Sequence, residues 1–164
     1  MDLGATLKEL MLRRPRLTLA VAESLTCGRV QARLGAVSGA SEFLLGGLTA
    51  YTLEQKVRHL GVGRAHARGT NCVSRQVAVE MARGACALFG ADLAVATTGY
   101  AEPDAARGVK APQAWWAVCH QRGGLPALRT GFMEFPGAQR LEVQEAVAEE
   151  VLRALVTYLR IWRK

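Results

Sequence analysis

Apolar residues recur at helical spacing over residues 2–13, where Leu3, Leu7, Leu10 and Met11 share one face, and the pattern predicts an amphipathic helix that Pro15 stops. The uncharged run from Leu17 to Ala22, bounded by Glu23-Ser24, predicts a buried strand, with a helix to follow over about 27–35. Ser38-Gly39-Ala40-Ser41 reads as a turn or cap, Gly46 to Thr52 as a second strand weakened by its glycines, and 53–59 as a short helix. Ser74 is placed to cap a longer helix through about 89, because Val77, Met81, Ala85 and Leu88 form one apolar face and Gly90 sits just past the end. Asp92 to Thr98 predicts another buried strand, which runs into Gly99 and a polar loop to about 112. Segments 114–120 and 127–134 carry β-formers such as Trp115, Trp116, Val118, Thr130 and Phe132 and predict a hairpin turning at Gly123-Gly124. From about 138 onward Leu141, Ala148, Val151, Leu152, Leu155 and Leu159 keep helical spacing, which predicts a long closing helix. Strands alternating with helices early and a hairpin late point to the α/β class, as a three-layer α/β/α sandwich on a mixed, mostly parallel sheet.

Composition narrows the function classes more than it selects one. A chain of 164 residues, half of them apolar, is the size of one domain with a core of its own, so a single domain over 1–164 is expected. The formal charge of +7 favours anionic partners. The basic residues are nevertheless scattered, few aromatics interleave with them, and no nucleic-acid-binding motif occurs, so nucleic acid is not an expected partner. The four cysteines, Cys27, Cys72, Cys86 and Cys119, have no C-x-x-C spacing, and no signal peptide opens the chain, which suits free thiols in a reducing cytoplasm. The apolar runs 17–22 and 92–98 fall far short of the roughly 20 residues a membrane span requires, so a soluble, cytoplasmic protein without a membrane partner is expected. Phosphate-loop, dinucleotide-binding and zinc-protease motifs are all missing, and His59, His66 and His120 are isolated; no metal or cofactor is expected.

Three segments carry candidate chemistry. Ala22-Glu23-Ser24-Leu25-Thr26-Cys27-Gly28 lies where a strand ends and a helix begins, the place at which open α/β sheets bind ligands. Ser24 suits a nucleophile there, although Ser24 or Thr26 would serve equally as a plain helix cap, and Cys27 is either a reactive thiol or a packing residue. Lys56 follows the second strand closely. A serine hydroxyl needs a base, and a lysine whose pKa is lowered by burial can be that base; the alternative for Lys56 is a solvated surface charge. Thr97-Thr98-Gly99-Tyr100-Ala101-Glu102-Pro103 delivers hydroxyls to the same sheet edge, with Gly99 giving freedom for close backbone approach to a ligand or merely turning the chain.

The order of these segments closely resembles the CinA C-terminal family, which includes stand-alone nicotinamide mononucleotide deamidases. The likeness spans nearly the whole chain. Residues 22–28 correspond to the family's A-E-S-C-T-G-G; Gly39, Ser41, Gly47, Tyr51 and Lys56 fall at the spacing of its G-S-S-x-x-F-x-x-G-x-x-x-Y-x-x-x-x-K. Cys72-Val73-Ser74 approximates A-V-S, residues 98–103 approximate S-G-x-A-G-P, and Phe135-Pro136-Gly137 retains F-P-G.

The resemblance implies metal-free hydrolysis of a nicotinamide carboxamide to the acid with release of ammonia. It implies Ser24 as nucleophile, Lys56 as its activator and Ser41 as a proton bridge. Tyr51, Thr26, Gly28, Thr98, Gly99 and Arg140 would hold a small anionic nucleotide-like ligand, and nearby backbone N–H groups would receive the oxyanion. A homodimer or higher homo-oligomer is also implied, without the additional N-terminal domain of larger members. The departures are local. Leu25 and Cys27 replace a cysteine and a glycine, Glu102 replaces a glycine, Gln144 stands where an arginine is usual, and Pro112-Gln113-Ala114 replaces Pro-Val-Gly beside two tryptophans. They leave two readings open: a deamidase-type amidohydrolase, or a family paralogue that keeps the scaffold and an oligomeric role without deamidation.

Overall fold

A computed structural model describes residues 2–121 and 127–164. Along the chain run α1 (Leu3–Leu12), β1 (Leu19–Glu23), α2 (Arg29–Gly35), β2 (Leu44–Thr49), α3 (Leu53–Leu60), α4 (Arg64–Gly69), α5 (Arg75–Phe89), β3 (Leu93–Tyr100), β4 (Gln113–His120), β5 (Ala127–Glu134) and α6 (Arg140–Trp162). The strands form one sheet in the order β2-β1-β3-β4-β5. β1 is parallel to both β2 and β3, while β4 is antiparallel to β3 and β5, so four strands share a direction and β4 alone opposes them. The sheet is mixed and the class is α/β, as the sequence predicts. The hairpin turn at Gly123-Gly124 lies outside the described residues.

Alternation along the buried strands builds two cores from one sheet. Leu19, Val21, Leu93, Val95 and Val118 face α1, α2 and α6, where Leu7, Met11, Val30, Leu34, Val151 and Leu155 meet them. Ala20, Ala22, Ala94, Ala96, Ala117 and Cys119 face the other way, against Val77, Ala78, Met81, Ala82 and Ala85 of α5. The second face is made of small side chains, so α5 can lie close to the sheet.

Two boundaries differ from expectation for identifiable reasons. The second strand spans 44–49 rather than 46–52, because Thr52 is spent as the N-cap of α3, its hydroxyl accepting from the Gln55 N–H. At the strand's other end Leu19 pairs with Leu44 and Ala20 with Gly46, so the pairing absorbs one extra residue there. Helix α4, six residues ending in a glycine, has no apolar periodicity to announce it. By contrast α5 begins at Ser74, whose hydroxyl accepts from the Val77 N–H, and ends before Gly90 at φ 64°, as its sequence signals indicate.

Helix α3, which carries Lys56, is seated on α5 at Gly84. A Cβ on Gly84 would stand 2.1 Å from the Leu60 carbonyl oxygen and 2.6 Å from the Leu60 Cα, both backbone atoms. Gly84→Ala is therefore expected to destabilise the fold by about 1–3 kcal/mol through overpacking, measured as a lowered urea midpoint.

Candidate active site at the strand ends

The alternation that builds the two cores also sorts the side chains leaving β1 and β3. Glu23 keeps the parity of Val21 and turns toward α2, whereas Ser24 keeps the parity of Ala22 and turns toward α3 and α5. Thr97 and Thr98 divide in the same way: the Thr97 hydroxyl pairs with Thr26 (2.7 Å), and the Thr98 hydroxyl donates to the Cys72 carbonyl (2.6 Å) on the α5 side.

Glu23 is fully buried and organises the loop that carries Ser24. One carboxylate oxygen accepts from the Thr26 hydroxyl (2.6 Å) and from the N–H groups of Gly28 (3.0 Å) and Val30 (3.1 Å); the other accepts from the Gln31 N–H and side-chain amide, both at 3.0 Å. A carboxylate is well matched to the exposed donors and positive end of a helix start. Neither Ser24 nor Thr26 caps α2; Glu23 does that from the end of β1, across the intervening loop, while Gly28 at φ 94° is the residue before the helix. Glu23 stands inside β1, away from the cap and first-turn positions where acidic helix-start signals are read, so no sequence signal announces this role.

On the other side of the sheet edge, Lys56 is 1% exposed and its Nζ lies 2.9 Å from Ser24 Oγ, 2.7 Å from the Ala50 carbonyl oxygen and 3.0 Å from that of Tyr51. All three partners are uncharged. Burial accordingly lowers the Lys56 ammonium from its ordinary 10.5 to about 8, opposed by the Cys72 thiol nearby, which burial pushes up. An amine with two hydrogens on two carbonyls has one position left, and it meets the serine hydroxyl. The alternative of a solvated surface lysine does not describe this residue.

Ser24 and Lys56 lie on the floor of a cavity of about 510 Å³, within the roughly 300–1,000 Å³ usual for small-molecule sites. Asn71, Cys72, Thr98, Gly99 and Tyr100 continue the wall, and Tyr51, Glu102 and Arg140 stand among the residues at its exposed side. Arg140, the first residue of α6, donates through Nη1 to Glu102 Oε2 (2.6 Å) and through Nη2 to the Tyr51 hydroxyl (2.8 Å). Gln144, one turn on, is buried and donates to the Leu25 carbonyl (2.8 Å), so it braces the loop that carries Ser24. Leu25 packs beneath the cavity with Ala101, Ala114, Val143 and Val147.

Of the residues expected at the site, Ser24, Lys56, Tyr51, Thr98, Gly99 and Arg140 are brought together. Ser41 is not. It is exposed in the turn before β2, whereas Lys56 follows the strand's opposite end, and six extended residues at about 3.3 Å each separate the two. Thr26 and Gly28 are also absent from the cavity lining, because the Thr26 hydroxyl is wholly buried on Glu23 and Thr97 and the Gly28 N–H is bound to Glu23. Gly99 lines the cavity for another reason than a ligand's approach. A Cβ there would stand 2.3 Å from the Gln113 carbonyl oxygen, so the neighbouring strand requires the glycine. Cys27 is exposed at φ 47°, outside the cavity lining. Asn71, placed in the wall by the chain just before α5, gave no sequence signal.

The fold and site define an α/β sandwich with a buried serine–lysine pair under a cavity at the carboxyl ends of its parallel strands. The family described as CinA C-terminal domain matches residues 4–159, and the chain belongs to that family. A CinA-like protein of Chlorobium limicola is 38% identical over 153 residues, which cover 92% of this chain and 35% of the relative. A putative competence-damage inducible protein of Desulforamulus reducens is 45% identical over 92 residues, 56% of this chain and 22% of that protein. The chain thus spans about a third or less of the length of these relatives. Among solved structures, competence damage-inducible protein A from Klebsiella pneumoniae superposes with a TM-score of 0.89 at 29% identity, covering 98% of this chain and 97% of that one. A competence/damage inducible protein from Agrobacterium tumefaciens gives 0.84 at 27% identity, with 98% and 96% covered. Among the described residues no helix is long and apolar enough to cross a membrane.

Two stability outcomes follow from this geometry. Glu23→Ala strands the Thr26 hydroxyl and the donors at the start of α2, and is expected to cost about 3 kcal/mol or more in denaturant unfolding. For Lys56 the folded-state value lies below the unfolded one, so the burial penalty on its charge is complete below pH 8. As pH rises from about 8 toward 10.5, the folded protein releases a proton that the unfolded chain still holds. The stability of the wild type relative to Lys56→Met should therefore climb across that window and level off above it, measured by paired unfolding curves.

Proposed function

We propose that the protein is an amidohydrolase of the nicotinamide mononucleotide deamidase type, converting a carboxamide to a carboxylate and ammonia through Ser24 and Lys56. The observation that carries this reading is the 2.9 Å separation between Lys56 Nζ and Ser24 Oγ on the floor of an open cavity. Family membership supports the same chemistry, since the resemblance noted above assigns Ser24 and Lys56 these roles.

Neutral Lys56 accepts the Ser24 proton as Oγ bonds to the carboxamide carbon, and the carbonyl oxygen becomes an oxyanion. The Leu25 N–H follows the nucleophile directly in the chain and is the donor best situated by sequence to receive that charge. The Lys56 ammonium then gives its proton to the leaving nitrogen, the C–N bond breaks, and ammonia departs to leave an ester on Ser24. Water attacks this ester while Lys56 takes the water proton, which passes to Ser24 as the acid is released. The Ala50 and Tyr51 carbonyls hold the amine in place throughout. Glu23 and Gln144 are positioning residues for the loop. A homo-oligomer belongs to the same reading, without a metal or cofactor.

The alternative is a paralogue that keeps the scaffold without hydrolysis. It draws on one observation, that Arg140 is already engaged by Glu102 and Tyr51.

Purified protein is expected to release ammonia from a nicotinamide-bearing carboxamide, with Ser24→Ala and Lys56→Met each lowering kcat by at least about a thousandfold. The rate should rise with pH through about 8 as Lys56 loses its proton, then reach a plateau. Absence of ammonia from both the mononucleotide and its riboside, with Ser24→Ala leaving ligand binding unaltered, would favour the paralogue.

A further inference from the structure

The charges around the cavity bear on which carboxamide enters. Lys56, Glu102, Asp104 and Arg140 are the charged side chains in its lining. Lys56 is withdrawn on the floor and bound to three neutral acceptors. Asp104 is paired with Arg107 (2.8 Å). Arg140 is the cation at the exposed side, and both ends of its planar fork are in use, one on the Glu102 carboxylate and one on the Tyr51 hydroxyl.

A guanidinium recognises a phosphate by presenting two parallel N–H donors to two anionic oxygens. Here a carboxylate of the same chain already holds one of those donors. A phosphomonoester reaching Arg140 would have to displace Glu102, and would then lie beside the carboxylate it had freed. Glu102 and Arg140 are 61% and 42% exposed, so their attraction is weak in water and does not lock the fork by itself. The discrimination comes instead from the negative charge that stays beside the entrance after displacement, which sets its size nearer tenfold than a thousandfold.

Resting on the carboxamide reading above, we infer that Glu102 is a specificity-determining residue, which turns the site toward carboxamides with an uncharged or cationic body and away from those bearing a phosphomonoester. A pyridinium nucleoside without its phosphate fits this class. Its positive ring suits an entrance that carries the exposed Glu102 carboxylate, and its carboxamide suits Ser24 and Lys56 on the floor.

The test compares nicotinamide mononucleotide with the same molecule lacking its phosphate, using the wild type, Glu102→Gln and Glu102→Ala. For the wild type, kcat/KM for the dephosphorylated compound should exceed that for the phosphorylated one by about tenfold or more. Both variants should shrink the ratio by about tenfold, through a fall in KM for the phosphorylated compound rather than a change in kcat, a split that mere loosening of the loop would not produce. A wild type that prefers the phosphorylated compound, or a ratio unmoved in both variants, overturns the inference while leaving the Ser24 and Lys56 chemistry intact. Hydrolysis of neither compound defeats the carboxamide chemistry instead. Calorimetric titration of the same pair into the three proteins then decides on Glu102, with the same tenfold shift in the Kd ratio as the supporting result and an unmoved ratio as the contrary one.

Discussion

A lysine amine held out of water against neutral oxygens is the constraint on which the site depends. The cost of keeping a charge at that position is what brings the amine within reach of deprotonation near neutrality, and the two carbonyls that hold it are backbone atoms of the link between β2 and α3. The link has this shape because the strand stops at Thr49 and Thr52 caps the next helix. The helix is in turn held where it is by the contact of Leu60 with Gly84 on α5, and α5 lies against an alanine-lined sheet face. Strand end, cap and helix contact therefore act on one nitrogen atom.

The second organising feature is the division of neighbouring residues between the two faces of the sheet. Glu23 turns one way and gathers five donors, while Ser24 turns the other and meets the amine. A buried carboxylate so fully satisfied fixes the direction of the peptide that follows it, and the serine inherits that direction. Gln144 adds support from α6 through the Leu25 carbonyl. The arginine usual in the family would place a charge at this buried position, whereas the amide of glutamine satisfies the carbonyl without one.

Elements with strong periodicity or explicit stops were legible in the sequence: α5 between Ser74 and Gly90, the strand beginning after Asp92, and the β5 segment over 127–134. Helix α4 was not, because six polar-rich residues carry no period, and β2 was displaced because a threonine that favours strands also caps helices. Ser24 and Lys56 could be suspected from their places after strands, but only tertiary packing decides whether a lysine is buried. Ser41, Thr26 and Gly28 stand outside the cavity lining for a common reason. Proximity in a motif does not reveal which face of the sheet, or which end of a strand, a side chain occupies. Thr26 and Gly28 serve the carboxylate beneath the loop, and Ser41 belongs to the far end of β2.

The reactive pair hangs from the sheet and its adjoining helix, whereas Glu102 and Arg140 belong to the segment after β3 and to the opening of α6. On the proposed reading, proton transfer and admission are thereby housed in separate pieces of architecture. If that reading holds, a lineage could exchange its cargo by altering one perimeter charge, with the serine–lysine pair underneath left undisturbed.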